Sequence, residues 1–87
     1  MTRADIGVDA NDNVYIVAGN SSTRRLSVYT ASKASAWTDW TDRYSSSVEY
    51  YSDPLLDHAR LLNGVVSVFA PRYGGRQIDV LNWATTP

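Results

Sequence analysis

The chain has 87 residues with a net charge of −1, no cysteine and a single histidine, which is room for one small domain and no more. That inventory excludes a disulfide framework, a thiolate-ligated metal centre and a histidine-rich metal site. It also excludes the basic field that draws nucleic acid or an anionic membrane surface, while 44% hydrophobic and 20% charged residues make a globular balance rather than a disordered one.

The charged residues point to strands. Seven of the eight basic residues are Arg and eight of the nine acids are Asp. Lys and Glu favour helices, whereas Asp belongs to turns and caps. Six Tyr, three Trp and many Val, Ser and Thr suit a pleated, half-buried surface. An all-β antiparallel chain of seven or eight short strands is expected. No apolar run approaches the ~20 residues of a membrane helix.

In chain order, Ala4–Ala10 alternates and predicts a half-buried strand with Ala4, Ile6 and Val8 facing in. Asn11, Asp12 and Asn13 form a turn cluster. Val14–Ala18 is a nearly continuous apolar run, the mark of an inner strand. Gly19–Thr23 is a loop, and Arg25–Ala31 alternates again with Leu26, Val28 and Thr30 on one side. Trp37–Arg43 predicts a fourth strand.

Past Ser52, Asp53 and Pro54, a turn, Leu55–Leu62 reads as an irregular strand with a short helical possibility. Asn63-Gly64 is the strongest hairpin signal in the chain. Val65–Ala70 is a strand, and Arg76–Trp83 is another with Ile78 and Val80 facing in.

The halves superpose. Asp12–Val17 aligns with Asn63–Val68, and Arg25–Tyr29 aligns with Gln77–Leu81 with one residue of slippage. A repeat of about fifty residues lies in the range of propeller blades. The units run from about 4 to 44 and from about 48 to 83, as one propeller-type segment over residues 1–87. The second reads as three strands, with no fourth before Thr86-Pro87.

Val8–Val17, then Leu26–Ala31 and a Trp shortly after, resemble the sialidase-like, or BNR-repeat, β-propeller superfamily. Thr30, Ser32, Ala34 and Trp37 stand at the spacing of that family's Asp-box, of which a hydroxyl residue and the Trp survive. The stretch Asp53–Phe69, followed by Ile78–Trp83, resembles the last blade of bacterial propellers acting on polysaccharides. The resemblance implies a C-terminal two-blade piece that completes a ring with further blades or further copies of itself. It implies a carbohydrate partner, neutral or acidic, and an extracellular or periplasmic setting. The arginine triad, Tyr/Glu pair and Asp of a sialidase spread around a whole ring, so a complete active site in one chain is not expected. No cofactor or metal is expected.

Ligand candidates are His58 and Arg60, with Tyr51 and Tyr73 beside them on one rim. The guanidinium would grip a carboxylate and the rings would stack on sugar C–H faces. The competing reading has Asp57 and Arg60 paired with each other and His58 merely solvated. Trp37 and Trp83 are expected in packing between blades. Asp9–Asn13 has the oxygen spacing of a calcium loop, but Val14 stands where glycine is needed and no glutamate closes the loop, so it reads as a turn. The competing function is a structural or protein-interaction propeller module, self-assembling, with no sugar site.

Overall fold

A computed structural model describes residues 2–85 of the chain. Strands β1 (Thr2–Val8), β2 (Val14–Asn20), β3 (Leu26–Ala31) and β4 (Trp40–Ser45) form one antiparallel sheet in that order. Strands β5 (Leu55–Leu56), β6 (Val65–Pro71) and β7 (Ile78–Ala84) form a second, also antiparallel. The chain is all-β, as the composition predicts. Thr86 and Pro87, where the second repeat was expected to stop, lie outside the described residues.

Local chemistry sets the connections. Asp9 organises the β1–β2 turn: its carboxylate accepts from Asn11 N at 2.8 Å, Asn13 N at 3.0 Å and Asn13 Nδ2 at 3.1 Å. Between β3 and β4, Ser32 caps a 3-10 turn over Lys33–Ser35. Ala36 and Trp37 then take left-handed φ values of 53° and 59°. That turn ends the extended backbone, so the fourth strand starts at Trp40 and not, as expected, at Trp37. Trp37 donates its indole N–H to Asp12 O at 2.7 Å and is half-exposed, so it ties two turns together instead of packing between sheets.

Leu55–Leu62 resolves into both of its alternatives, the two-residue β5 and a one-turn helix α1 (His58–Leu62). Asn63-Gly64 is not the tip of a hairpin. It terminates α1, with Asn63 as C-cap and Gly64 at φ 85°, because the preceding turn is already helical and a left-handed glycine is the usual exit.

The two sheets pack face to face. Tyr15, Val17, Leu26 and Val28 of the first meet Leu56, Val66, Val68 and Ala70 of the second and Leu61 of α1, with Tyr50 between. Two glycines permit the approach. A Cβ at Gly7 would stand 2.7 Å from Leu61 Cδ2, and one at Gly19 would stand 2.7 Å from Ser52 Cα. Cross-sheet bonds add direction: Tyr15 Oη donates to Thr85 O at 2.6 Å and Leu56 N donates to Asp5 Oδ2 at 2.8 Å.

Two strand faces are the reverse of the expectation. In β1 it is Gly7 that is buried, while Ile6 and Val8 are 58% and 44% exposed. The contact with Leu61 needs a residue without a side chain, and that fixes the phase of the strand. In β7, Leu81 and Trp83 pack against the core while Ile78 and Val80 are 63% and 47% exposed. The repeat explains this. β2 and β6 align in phase, since Val17 pairs with Val28 and its counterpart Val68 pairs with Leu81. Val28 therefore corresponds to Leu81, one residue beyond the alignment read from sequence, and a one-residue slip exchanges the faces.

Candidate functional site

Tyr51 and Tyr73 come together. Residues 49–51 run antiparallel to 71–73: Tyr51 N donates to Pro71 O at 2.9 Å, Tyr73 N donates to Glu49 O at 3.2 Å, and Tyr50 and Arg72 form the bridge between them. This places Tyr51 and Tyr73 diagonally on one side of a two-strand ladder, within reach for aromatic rings. Their centroids are 5.1 Å apart with planes tilted by 56°, and both rings are nearly half-exposed. The Arg24 guanidinium lies 3.9 Å from the Tyr73 ring centroid, a cation–π contact. With Ser21 and Ser52 the three line a hollow of about 170 Å³.

The other side of the same ladder is hydrogen-bonded to Asp79. Tyr50 Oη donates to Asp79 Oδ2 at 2.8 Å, Arg72 Nε meets the same oxygen at 2.8 Å, and Gln77 Nε2 donates to Oδ1 at 3.0 Å. These bonds favour the charged carboxylate. Gln77 first, then Arg72 and Tyr50, hold the Asp79 pKa down to about 2. Burial of Tyr50, with the Asp79 bond next, pushes its phenol up to about 12.

His58 and Arg60 lie elsewhere. Asp57 N donates to Ser67 O and Tyr51 N to Pro71 O, four residues apart along β6, or roughly 13 Å at ~3.3 Å per residue. The structure thus separates the four expected ligand residues into two pairs, and no single rim holds them. Asp57 does not pair with the Arg60 side chain. Its carboxylate accepts from Arg60 N at 3.1 Å as the N-cap of α1, the usual use of Asp before a helix. His58 is not merely solvated: its Nε2 stands 3.2 Å from both oxygens of Asp5. It borders an apolar hollow of about 380 Å³ with Ile6, Val8, Val14 and Leu62, a lining that offers a sugar little to bond.

A further hollow, about 680 Å³, lies beside the β1–β2 turn, lined in part by Asp9, Thr30, Ser32, Asp39 and Arg43. Two of its charged groups are already committed. Asp9 serves its turn, and Arg43 donates to Ala84 O at 3.2 Å and Thr85 O at 3.4 Å. Burial, with Asp9 next, raises the Tyr15 phenol at its floor. This network ties the first sheet to the end of β7. Trp83 packs against Tyr44, centroids 5.3 Å apart, in the contact between sheets expected of it.

Sequence reasoning missed Arg24 and Asp79. Arg24-Arg25 is too short a basic run to signal a partner, and only the fold brings it to Tyr73. A signal was present for the rest: Tyr50-Tyr51 and Arg72-Tyr73 are the two places where a tyrosine of the pair adjoins a residue able to bind Asp79. Among the described residues no group of three His, Cys, Asp or Glu side chains is placed to hold a metal ion, and no helix is long and apolar enough to cross a membrane. No family model, curated protein or solved structure matches the chain.

Proposed function

We propose that the chain is a two-blade segment of a β-propeller that binds carbohydrate, the sugar seating on Tyr51 and Tyr73 with Arg24 beside them. The observation that carries this reading is the exposed tyrosine corner with a guanidinium on one of its rings. Tilted aromatic faces accept the C–H faces of a sugar ring, and serine hydroxyls at the rim bond its hydroxyls. Arg24 makes no ion pair among the described residues. A cation so placed favours an acidic sugar, since a guanidinium bonds both oxygens of a carboxylate. The reading moves the acid-recognising arginine from Arg60 to Arg24 and makes His58 no part of the site. It is a reading of binding; bond cleavage would need groups from other blades. Two antiparallel meanders packed face to face, of four and three strands, support the propeller part of it.

The test is a glycan array of neutral and acidic oligosaccharides probed with the parent, Tyr51→Ala and Tyr73→Ala. Retention of acidic glycans by the parent and loss by both variants is the expected result. An array on which the parent retains nothing leaves the second reading, a structural propeller module, which the bare apolar sheet faces favour.

A further inference from the structure

The tyrosine corner stands on backbone that has little of its own to hold it. Between β4 and β5, residues 46–54 form no helix or strand, and beyond β6 the chain turns through Gly74 at φ 72°. Two backbone bonds and one bridge, Tyr50 with Arg72, join the segments that carry Tyr51 and Tyr73. Both residues of that bridge send their side chains to a single atom. Tyr50 Oη and Arg72 Nε each donate to Asp79 Oδ2 at 2.8 Å. Asp79 belongs to β7, which pairs along its whole length with β6 and is thereby anchored in the second sheet.

We propose that Asp79 is a positioning residue for the tyrosine corner, acting through Tyr50 and Arg72 on the two rings and the guanidinium that would meet the ligand. Each of those three groups is one step from a residue that Asp79 holds. Tyr51 follows Tyr50 in the chain and Tyr73 follows Arg72. Successive side chains of an extended segment point to opposite sides. Drawing Tyr50 and Arg72 toward Asp79 therefore turns Tyr51 and Tyr73 outward together. The burial agrees, since Tyr50 is fully buried and the two outer rings are nearly half-exposed. Arg24 accepts the Tyr50 N–H at its carbonyl, at 2.7 Å. Its φ of 59° is left-handed, a conformation that a residue with a side chain keeps only where its surroundings hold it.

Packing alone does not ask for a carboxylate here. The corresponding residue of the first sheet is Leu26, which is buried in the core, so an apolar side chain serves the same strand plan. What the carboxylate adds is direction, because hydrogen bonds to a charged acceptor are shorter and stronger than neutral ones. Three of them converge on Asp79, with Gln77 Nε2 donating to Oδ1 at 3.0 Å as the third. The inference rests on the reading of the corner as the ligand site.

The experiment compares the parent with Asp79→Asn and Asp79→Leu by two readouts. One is nuclear Overhauser contacts between the Tyr51 and Tyr73 rings in the free protein. The other is calorimetric titration of a uronate oligosaccharide. Asparagine keeps an oxygen for Tyr50 and Arg72, and leucine is what the first sheet carries at this position. Asp79→Leu is expected to lose the ring contacts while those among Tyr15, Val17, Val66 and Val68 of the core persist. It should bind the uronate roughly tenfold more weakly, because binding must then order two rings that the parent holds ready. Asp79→Asn is expected to keep the ring contacts and to bind within about threefold of the parent. Loss of the core contacts together with the ring contacts in Asp79→Leu is the mark of a merely structural role and overturns the proposal. Ring contacts that survive Asp79→Leu overturn it as well, and so does unchanged uronate binding when they are lost. A parent that binds no uronate removes the sugar reading, while selective loss of the ring contacts in Asp79→Leu still assigns the placing of the rings to Asp79.

Discussion

At matched positions on their inner faces, the first sheet has Leu26 and the second has Asp79. Leu26 pairs with Gly19 and Asp79 with Ala70, the corresponding residues of β2 and β6. Leu26 is fully buried in the core, whereas Asp79 is bonded by Tyr50, Arg72 and Gln77. The first sheet is fastened by packing and close approach, the second by a polar network at the end that carries the tyrosine corner. The same strand plan thus yields one sheet held by packing and one held at its end by a polar network, and the difference is one side chain deep.

The comparison is broken most forcefully from the core. Leu61 is fully buried beneath Gly7, and Leu61→Ala is expected to cost about 2–5 kcal/mol in denaturant unfolding. A loss well under 1 kcal/mol would mean that the sheets do not meet there. Next come the glycines. Gly19→Ala drives a methyl against the Ser52 backbone, which cannot yield, and is expected to cost about 1–3 kcal/mol. Gly7→Ala meets the flexible ends of Leu61 and His58 and should cost less. Thermal melts rank the two, and the reverse order would contradict the packing described.

The polar end of the second sheet is sharpened by pH. Asp79 has a folded pKa of about 2 against an ordinary 3.8. Its contribution is therefore complete above about pH 5 and is lost as pH falls through the interval down to 2. Tyr50 is displaced upward, from 10.0 to about 12, so its contribution is complete below about pH 9 and is lost as pH rises toward 12. In unfolding free energy, Asp79→Asn should flatten the acid limb, and Tyr50→Phe should leave of the alkaline limb only what the raised Tyr15 phenol contributes. Limbs identical to the parent's would show that the network does not hold the fold. The smallest effect is expected at His58, whose pair with Asp5 is more than half-exposed on the histidine side. His58→Ala should change stability by about 1 kcal/mol at most.

Strand number and the correspondence of β2 with β6 were legible because turn residues and β-branched runs are local signals. The facing of β1 and β7 was not. Alternation shows that a strand has two kinds of face, but when both faces of a sheet are apolar it does not say which one meets the core. In β1 the deciding residue was Gly7, whose signal is an absence of side chain. Half of the candidate site was legible in Tyr51 and Tyr73, since exposed aromatics near turns are readable. Arg24 was not, because it lies across a loop closed only by the fold, and the distance of His58 from the tyrosines was not, because its carboxylate partner, Asp5, is 53 residues away in sequence.

The most direct test titrates one uronate oligosaccharide into the parent, Tyr73→Ala, Arg24→Ala and His58→Ala by calorimetry. Loss of a charge-assisted contact or a stacking ring should weaken binding roughly tenfold to a hundredfold in the Tyr73 and Arg24 variants, with His58→Ala within about twofold of the parent. Binding that survives Tyr73→Ala and Arg24→Ala but is lost with His58→Ala would contradict the account and return the site to the other end of the sheet.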